Sequence, residues 1–157
     1  MRTQVKILSL LTLIFFVGCG QKPNTSEPII ADADEPIGAV KYVLLEDPLE
    51  TTLITEGKQI YNQKCSACHY LNDEKLIAPG WSDITNRREP TWIMNMILNV
   101  NIMLEVDSIA CDLLDENKTR MPEQHLTVDQ ARSVLEFMRQ NDMEQVGHKD
   151  KGNNSNS

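Results

Sequence analysis

The sequence predicts an all-α domain over Thr51–Met143, with three or four helices and long loops between them. Three observations carry that reading. Apolar residues recur at helical spacing after Pro90 and again after Thr127. Thr127 and Gln130 have the spacing of a capping box, which opens a helix by satisfying two backbone donors reciprocally. Pro79–Gly80 and Pro122 punctuate the stretches between, which read as loops.

The segment ahead of this domain reads as a leader and a tether. Arg2 and Lys6 precede an apolar run, Ile7–Val17, and small Gly18 stands before Cys19. The run is too short to span a bilayer, which takes about 20 residues, and the order of charge, apolar core and small residue is that of a signal peptide. Its ending, "FVGC", resembles the lipobox of bacterial lipoproteins, with Phe16 where leucine is usual. That resemblance implies removal of 1–18 and acylation of Cys19, so that the domain is exported and lipid-anchored to a bacterial membrane, facing the periplasm. An ordinary secretory signal with an incidental Cys19 is the alternative. Gln21–Pro36 is rich in Pro, Asp, Glu, Ser and Asn and reads as flexible. Gly38–Leu45 is a short apolar run that fits either a strand or an extended segment packed on the domain. The organisation expected is therefore a leader over 1–18, a linker over 19–50, the helical domain over 51–143 and a disordered polar tail over 144–157.

Within the domain, Thr55–Cys65 reads as the first helix. Gly57 and Tyr61 lie one turn apart on one face. A helical glycine costs about 1 kcal/mol against alanine, so its presence argues that another element approaches closely. Tyr70–Glu89 is a loop around "APGW". Pro90 suits the first turn of a helix that carries Trp92, Ile93, Met96 and Ile97 through Leu98. Asp107 caps a short helix over Ser108–Glu116. Lys118–Leu126 is loop. The last helix runs to about Asn141, with Val128, Ala131, Val134, Leu135 and Met138 as its stripe and Phe137 beside it.

Composition narrows the function. The chain has 157 residues and a formal charge of −8, which excludes nucleic acid as a partner, since phosphates select basic surfaces. An acidic surface is instead steered to a basic patch on a partner. Aromatic residues are 5% of the chain, leaving room for a bulky cofactor to supply core volume.

The chemistry sits in "QKCSACHYLN", Gln63–Asn72. Two thiols spaced C-x-x-C can form a disulfide, bind zinc or take up a cofactor covalently. Thioredoxin-like chemistry needs a strand before the motif, and none precedes Cys65. A structural zinc site wants a second ligand pair, and Cys111, His125 and His148 do not form one. C-x-x-C-H is the attachment signature of c-type haem. Cys65 and Cys68 would add across the two vinyl groups, and His69 would present its imidazole to the iron from the same side.

The domain resembles a class I, mitochondrial-type, mono-haem cytochrome c. The resemblance rests on "EGKQIYNQKCSACH", "APGW", the Trp92 helix, "TRMPEQ" and "TVDQARSVLEFMRQ", in that order over Thr51–Met143. It implies a small cytochrome c fold wrapped around one covalently bound haem c. It also implies that Gly57 and Tyr61 meet the last helix near Phe137. The Pro79 carbonyl would accept a hydrogen bond from the second nitrogen of His69, which sets the tautomer.

Met121 is the candidate sixth ligand. It lies on a loop, precedes Pro122 as the family's methionine commonly does, and can direct a thioether at the iron from the far face. Met96 and Met138 lie on apolar helix faces, where packing is the ordinary role. Ligation by His125, or an open position, is the alternative. Trp81, Trp92, Ile93 and Ile97 are candidate pocket walls. Arg87 and Arg88 are either partners of the haem propionates or a solvated pair. Cys111 is either a small buried side chain or the site of an intermolecular disulfide.

Histidine opposite methionine leaves no open coordination site and favours ferrous iron. The expected protein is an electron carrier and not an enzyme. It would be a monomer, taking single electrons from a membrane donor such as a quinol-oxidising complex. It would pass them to a terminal reductase or oxidase, with nitrous-oxide reductase as one acceptor. A haem-based gas or redox sensor, with a labile or absent sixth ligand, is the competing class.

Overall fold

The computed structural model describes residues 40–151. The expectations for the leader, Cys19 and the tether lie outside these residues. Six helices follow in order: α1 (Thr51–Ile60), which runs into a π-helical turn (Tyr61–Cys65), α2 (Ile84–Arg87), α3 (Pro90–Leu98), α4 (Val100–Val106), α5 (Ser108–Asn117) and α6 (Val128–Gln145). Among the described residues there is no strand, only a bridge between His69 and Lys75. None of these helices is long and apolar enough to cross a membrane.

The crossing of α1 and α6 organises the domain, and it explains Gly57. A Cβ at Gly57 would sit 2.0 Å from the Ser133 carbonyl oxygen and 2.8 Å from Cβ of Phe137. Only glycine lets the two backbones approach so closely. One turn on, the Tyr61 ring lies 5.6 Å from that of Phe137 and 4.9 Å from that of Trp81. Ile60, Ile93, Ile97, Val134, Leu135 and Met138 complete the core beneath. Val128 departs from the expected stripe. It is the first residue of α6, ahead of Ala131 where the packed face begins, and it is exposed.

Local chemistry sets the helix starts. The Thr127 hydroxyl accepts from the Gln130 N–H at 3.2 Å, and the Gln130 side chain accepts from the Thr127 N–H at 3.0 Å. The Asp107 carboxylate accepts from the Ala110 N–H at 2.8 Å, so α5 begins where a cap was expected. Pro90 occupies the first turn of α3. Two short helices were not expected. α2 interrupts the loop after "APGW". α4 follows α3 after a break at Asn99, whose φ and ψ of −137° and 45° are not helical.

The domain is also larger at both ends than 51–143. Val40–Glu50 is an extended strap packed on the domain, the extended alternative for the apolar run Gly38–Leu45. Val40 and the buried Asn95 side chain exchange two hydrogen bonds of 2.9 Å. The Glu50 N–H donates to the Glu136 carboxylate at 3.0 Å, and Arg139 donates to the Glu46 carbonyl at 3.0 Å. At the other end α6 continues to Gln145. The Asp142 carboxylate is fully buried and accepts from Asp83 N, Thr85 N and the Thr85 hydroxyl at 2.7, 2.8 and 2.6 Å. Beyond the helix, Asp150 returns to pair with Arg139 at 2.8 Å. The polar composition that reads as a tail supplies a partner, Asp150, for the buried Arg139 of α6. Through Lys151 the predicted tail is thus folded onto the domain.

Candidate functional site

The end of α1, the "APGW" loop, the helices α3 to α6 and the loop 118–126 surround one apolar cavity. Cys65, Cys68, His69, Pro79, Trp81 and Met121 all line it. Residues from three separate stretches of the sequence are therefore brought to one cavity.

The motif is shaped by its backbone. After the π-helical turn, the N–H groups of Cys68 and His69 both donate to the Cys65 carbonyl at 3.0 Å. This tight turn carries both thiols and the imidazole toward the same space. The Cys68 carbonyl then accepts from Ala78 N at 3.0 Å, which draws the "APGW" loop beneath His69. The glycine of that loop is required by crowding: a Cβ at Gly80 would stand 2.0 Å from the Asn72 carbonyl oxygen.

His69 is held from two directions. Its Nδ1 donates to the Pro79 carbonyl at 2.8 Å, and the Tyr61 hydroxyl donates to its backbone carbonyl at 2.7 Å. Burial pulls the imidazole below its ordinary pKa, with the Pro79 hydrogen bond opposing. It is thus a neutral ring with its proton on Nδ1 and a free lone pair on Nε2, the form that ligates a metal. Trp81 packs beside it, 5.6 Å between ring centres.

Among the described residues, Cys65 and Cys68 are not joined by the further ligands that a zinc site needs. Burial pushes the Cys65 thiol up to about 11, assisted by Cys68 and opposed by Lys64. Among the described residues no group of three or more His, Cys, Asp or Glu side chains is arranged to hold a bare metal ion.

The remaining walls are hydrocarbon. Trp92, Ile93 and Ile97 line the cavity as expected from α3. Ile84, Leu104, Leu113 and Leu114 were missed, because they belong to α2, to α4 and to a face of α5 that sequence spacing left without a partner. Three methionines reach the lining: Met96 and Met138 from helices, and Met121 from its loop. Met94 and Met103 are buried in packing, and Met143 is exposed. His125 is exposed with a φ of 52° and does not line the cavity. Arg87 and Arg88 do line it. The Arg87 guanidinium donates to the Ser82 carbonyl at 2.9 Å, and that of Arg88 lies 5.3 Å from the centre of the Trp92 ring. Cys111 is half-buried, with its sulfur 3.1 Å from the Leu104 carbonyl oxygen.

Two thiols and a neutral imidazole on the wall of an apolar cavity fit a covalently attached haem and define a haem c protein. The comparisons agree. The sequence pattern of the cytochrome c family matches residues 54–142, and the chain belongs to that family. A cytochrome c from Rhodothermus marinus shares 40% identity at a TM-score of 0.67, over 69% of this chain and 93% of that one. An engineered form of it, Rma TDE, matches at 40% identity and a TM-score of 0.65, over 68% of this chain and 91% of that one. The same engineered protein bound to a carbene intermediate matches at 40% identity and a TM-score of 0.62, over 68% and 91%. Among curated protein sequences none matches. The family and its neighbours support a haem c electron carrier with the fold the sequence predicts.

Proposed function

We propose that this protein is a membrane-anchored mono-haem cytochrome c that passes single electrons between a respiratory donor and a terminal reductase or oxidase. The observation that carries the site is the hydrogen bond of 2.8 Å from His69 Nδ1 to the Pro79 carbonyl, within the cavity that Cys65, Cys68 and Met121 also line. Cys65 and Cys68 would hold the haem by thioether bonds, and His69 and Met121 would ligate its iron. When bound, haem iron supplies a one-electron couple whose potential a methionine ligand raises. Pro79 fixes the His69 tautomer and ring angle. The walls from α3, α5 and α6 exclude water. Arg87 and Arg88 offer the propionates cationic partners at the cavity.

The pattern Arg2, Lys6, Ile7–Val17, Gly18–Cys19 supports export and acylation of Cys19, which would anchor the domain on the periplasmic side of a membrane. The donor is of the quinol-oxidising class. The acidic chain favours a basic docking patch on each partner, and nitrous-oxide reductase is one acceptor of the expected kind. The test is a redox titration with visible spectra, run beside membrane fractionation of a Cys19→Ser variant. A single one-electron wave with a methionine-to-iron band, and release of the variant from membranes, are expected. A ferric spectrum without that band, or reversible gas binding, would favour the sensor reading. A variant that stays with the membrane would remove the lipid anchor.

A further inference from the structure

The loop that carries Met121 has no backbone of its own to hold it. No backbone–backbone hydrogen bond involves residues 119–126, and the loop contains no helix or strand. Left there, such a loop would be the weakest part of the site, since segments without hydrogen-bonded backbone open most readily. Its fastenings are side chains. The Lys64 ammonium donates to the Gln124 carbonyl at 3.1 Å. The second fastening is Asn101 of α4. Its Oδ1 accepts from the Arg120 guanidinium, and its Nδ2 donates to the Glu123 carboxylate. Arg120 precedes Met121, and Glu123 follows Pro122, so one amide spans the methionine from both sides.

We infer that Asn101 is a positioning residue that keeps Met121 at the haem iron. The amide suits this task because it offers a donor and an acceptor on one rigid plane. It can satisfy a cation and an anion at once, which neither Asp nor Lys can do. The inference rests on Met121 being the sixth ligand. The fraction of molecules with the loop displaced sets how readily an outside ligand reaches the iron. Asn101 therefore governs access to the iron without touching it.

The test is imidazole binding to the ferric haem-loaded protein, followed by loss of the methionine-to-iron absorption band. Wild type, M121A, N101A and the double variant N101D/E123Q are compared. The double variant exchanges donor and acceptor across the same pair and keeps an acceptor for Arg120. N101A is expected to retain the band yet bind imidazole about five- to thirty-fold more tightly, the range that loss of a modest fastening gives. N101D/E123Q is expected to return toward wild type. An N101A protein that binds imidazole like wild type, or a double variant that shows no recovery, overturns the inference and leaves the ligand assignment standing. An M121A protein with an unchanged band overturns both.

Discussion

Arg139 and Glu136 form an ion pair of 2.8 Å whose side chains are 1% and 0% exposed. Both lie on α6, and between them they gather the strap and the C-terminal segment. Glu136 also accepts from Glu50 N and from Arg132, and Arg139 also binds Glu46 O and Asp150. Removing one partner leaves a buried charge uncompensated, which costs about 3–5 kcal/mol. Arg139→Met is expected at the low end, about 3 kcal/mol, because Arg132 remains with Glu136. Chemical denaturation of the haem-loaded protein reads this directly. The double variant R139M/E136L should recover part of the loss, since a matched apolar pair does not strand a charge.

The same network predicts an acid-side transition. Burial raises the Glu136 carboxyl, but Glu50 N, Arg132 and Arg139 outweigh it and hold it below its ordinary value. Asp150 is held down in the same way by Arg139 and Lys149. A depressed carboxyl gives stability that is full above its unfolded pKa, about 4.3 for Glu, and is lost as pH falls through the folded value. The stability difference between wild type and Glu136→Gln should be flat from neutrality to about pH 5 and shrink below about pH 4.5. Asp142 runs the other way. Burial raises its carboxyl against the hydrogen bonds from Thr85 and Asp83. The stability of wild type relative to Asp142→Asn should therefore fall as pH rises above about 3.9. A difference for Glu136→Gln that stays constant down to pH 3 would show that its carboxyl is not depressed.

Gly57→Ala should be the most damaging small substitution on α1. Its methyl group would meet the Ser133 carbonyl oxygen at 2.0 Å, and that oxygen belongs to a buried backbone that cannot rotate away. Overpacking of this kind costs about 1–3 kcal/mol, and a backbone clash places it near 3. Calorimetry of the haem-loaded variant against wild type checks it. A change within experimental error would mean that the two helices have room to separate.

Met121→Ala and Met121→His should both lower the midpoint potential, since a thioether ligand raises it. Both should also lose the methionine-to-iron band. Equivalent changes at Met96 or Met138, which line the same cavity from helices, should shift stability and leave the band in place.

Much of this was legible in the sequence where a local rule acts alone. The capping box at Thr127, the Asp107 cap and the proline at the start of α3 depend on residues a few positions apart. The crossing was legible because Gly57 pays for itself only if a second backbone touches it. The cavity motif was legible because C-x-x-C-H joins chemistry and spacing in five residues. The strap was legible only as an apolar run that could pack extended on the domain, and its polar partners and the docking of the C-terminal segment were not. Their docking depends on Asn95, Glu136 and Arg139, polar residues that spacing alone assigns to solvent. Each is buried only because a partner far along the chain satisfies it. α4 was missed for a related reason: its buried Val100 and Met103 face neighbours that local periodicity does not reveal. The sequence presents Tyr61 as a crossing aromatic, and its hydroxyl also braces the His69 backbone.

The central claim is that Cys65 and Cys68 carry one haem through two thioether bonds. Intact-mass and peptide mass spectrometry of protein matured in a host that attaches haem c tests it most directly. The account predicts the added mass of a single haem that survives denaturation and acid extraction and maps to the peptide with Cys65, Cys68 and His69. An unmodified peptide, or a haem that extracts freely, would contradict it.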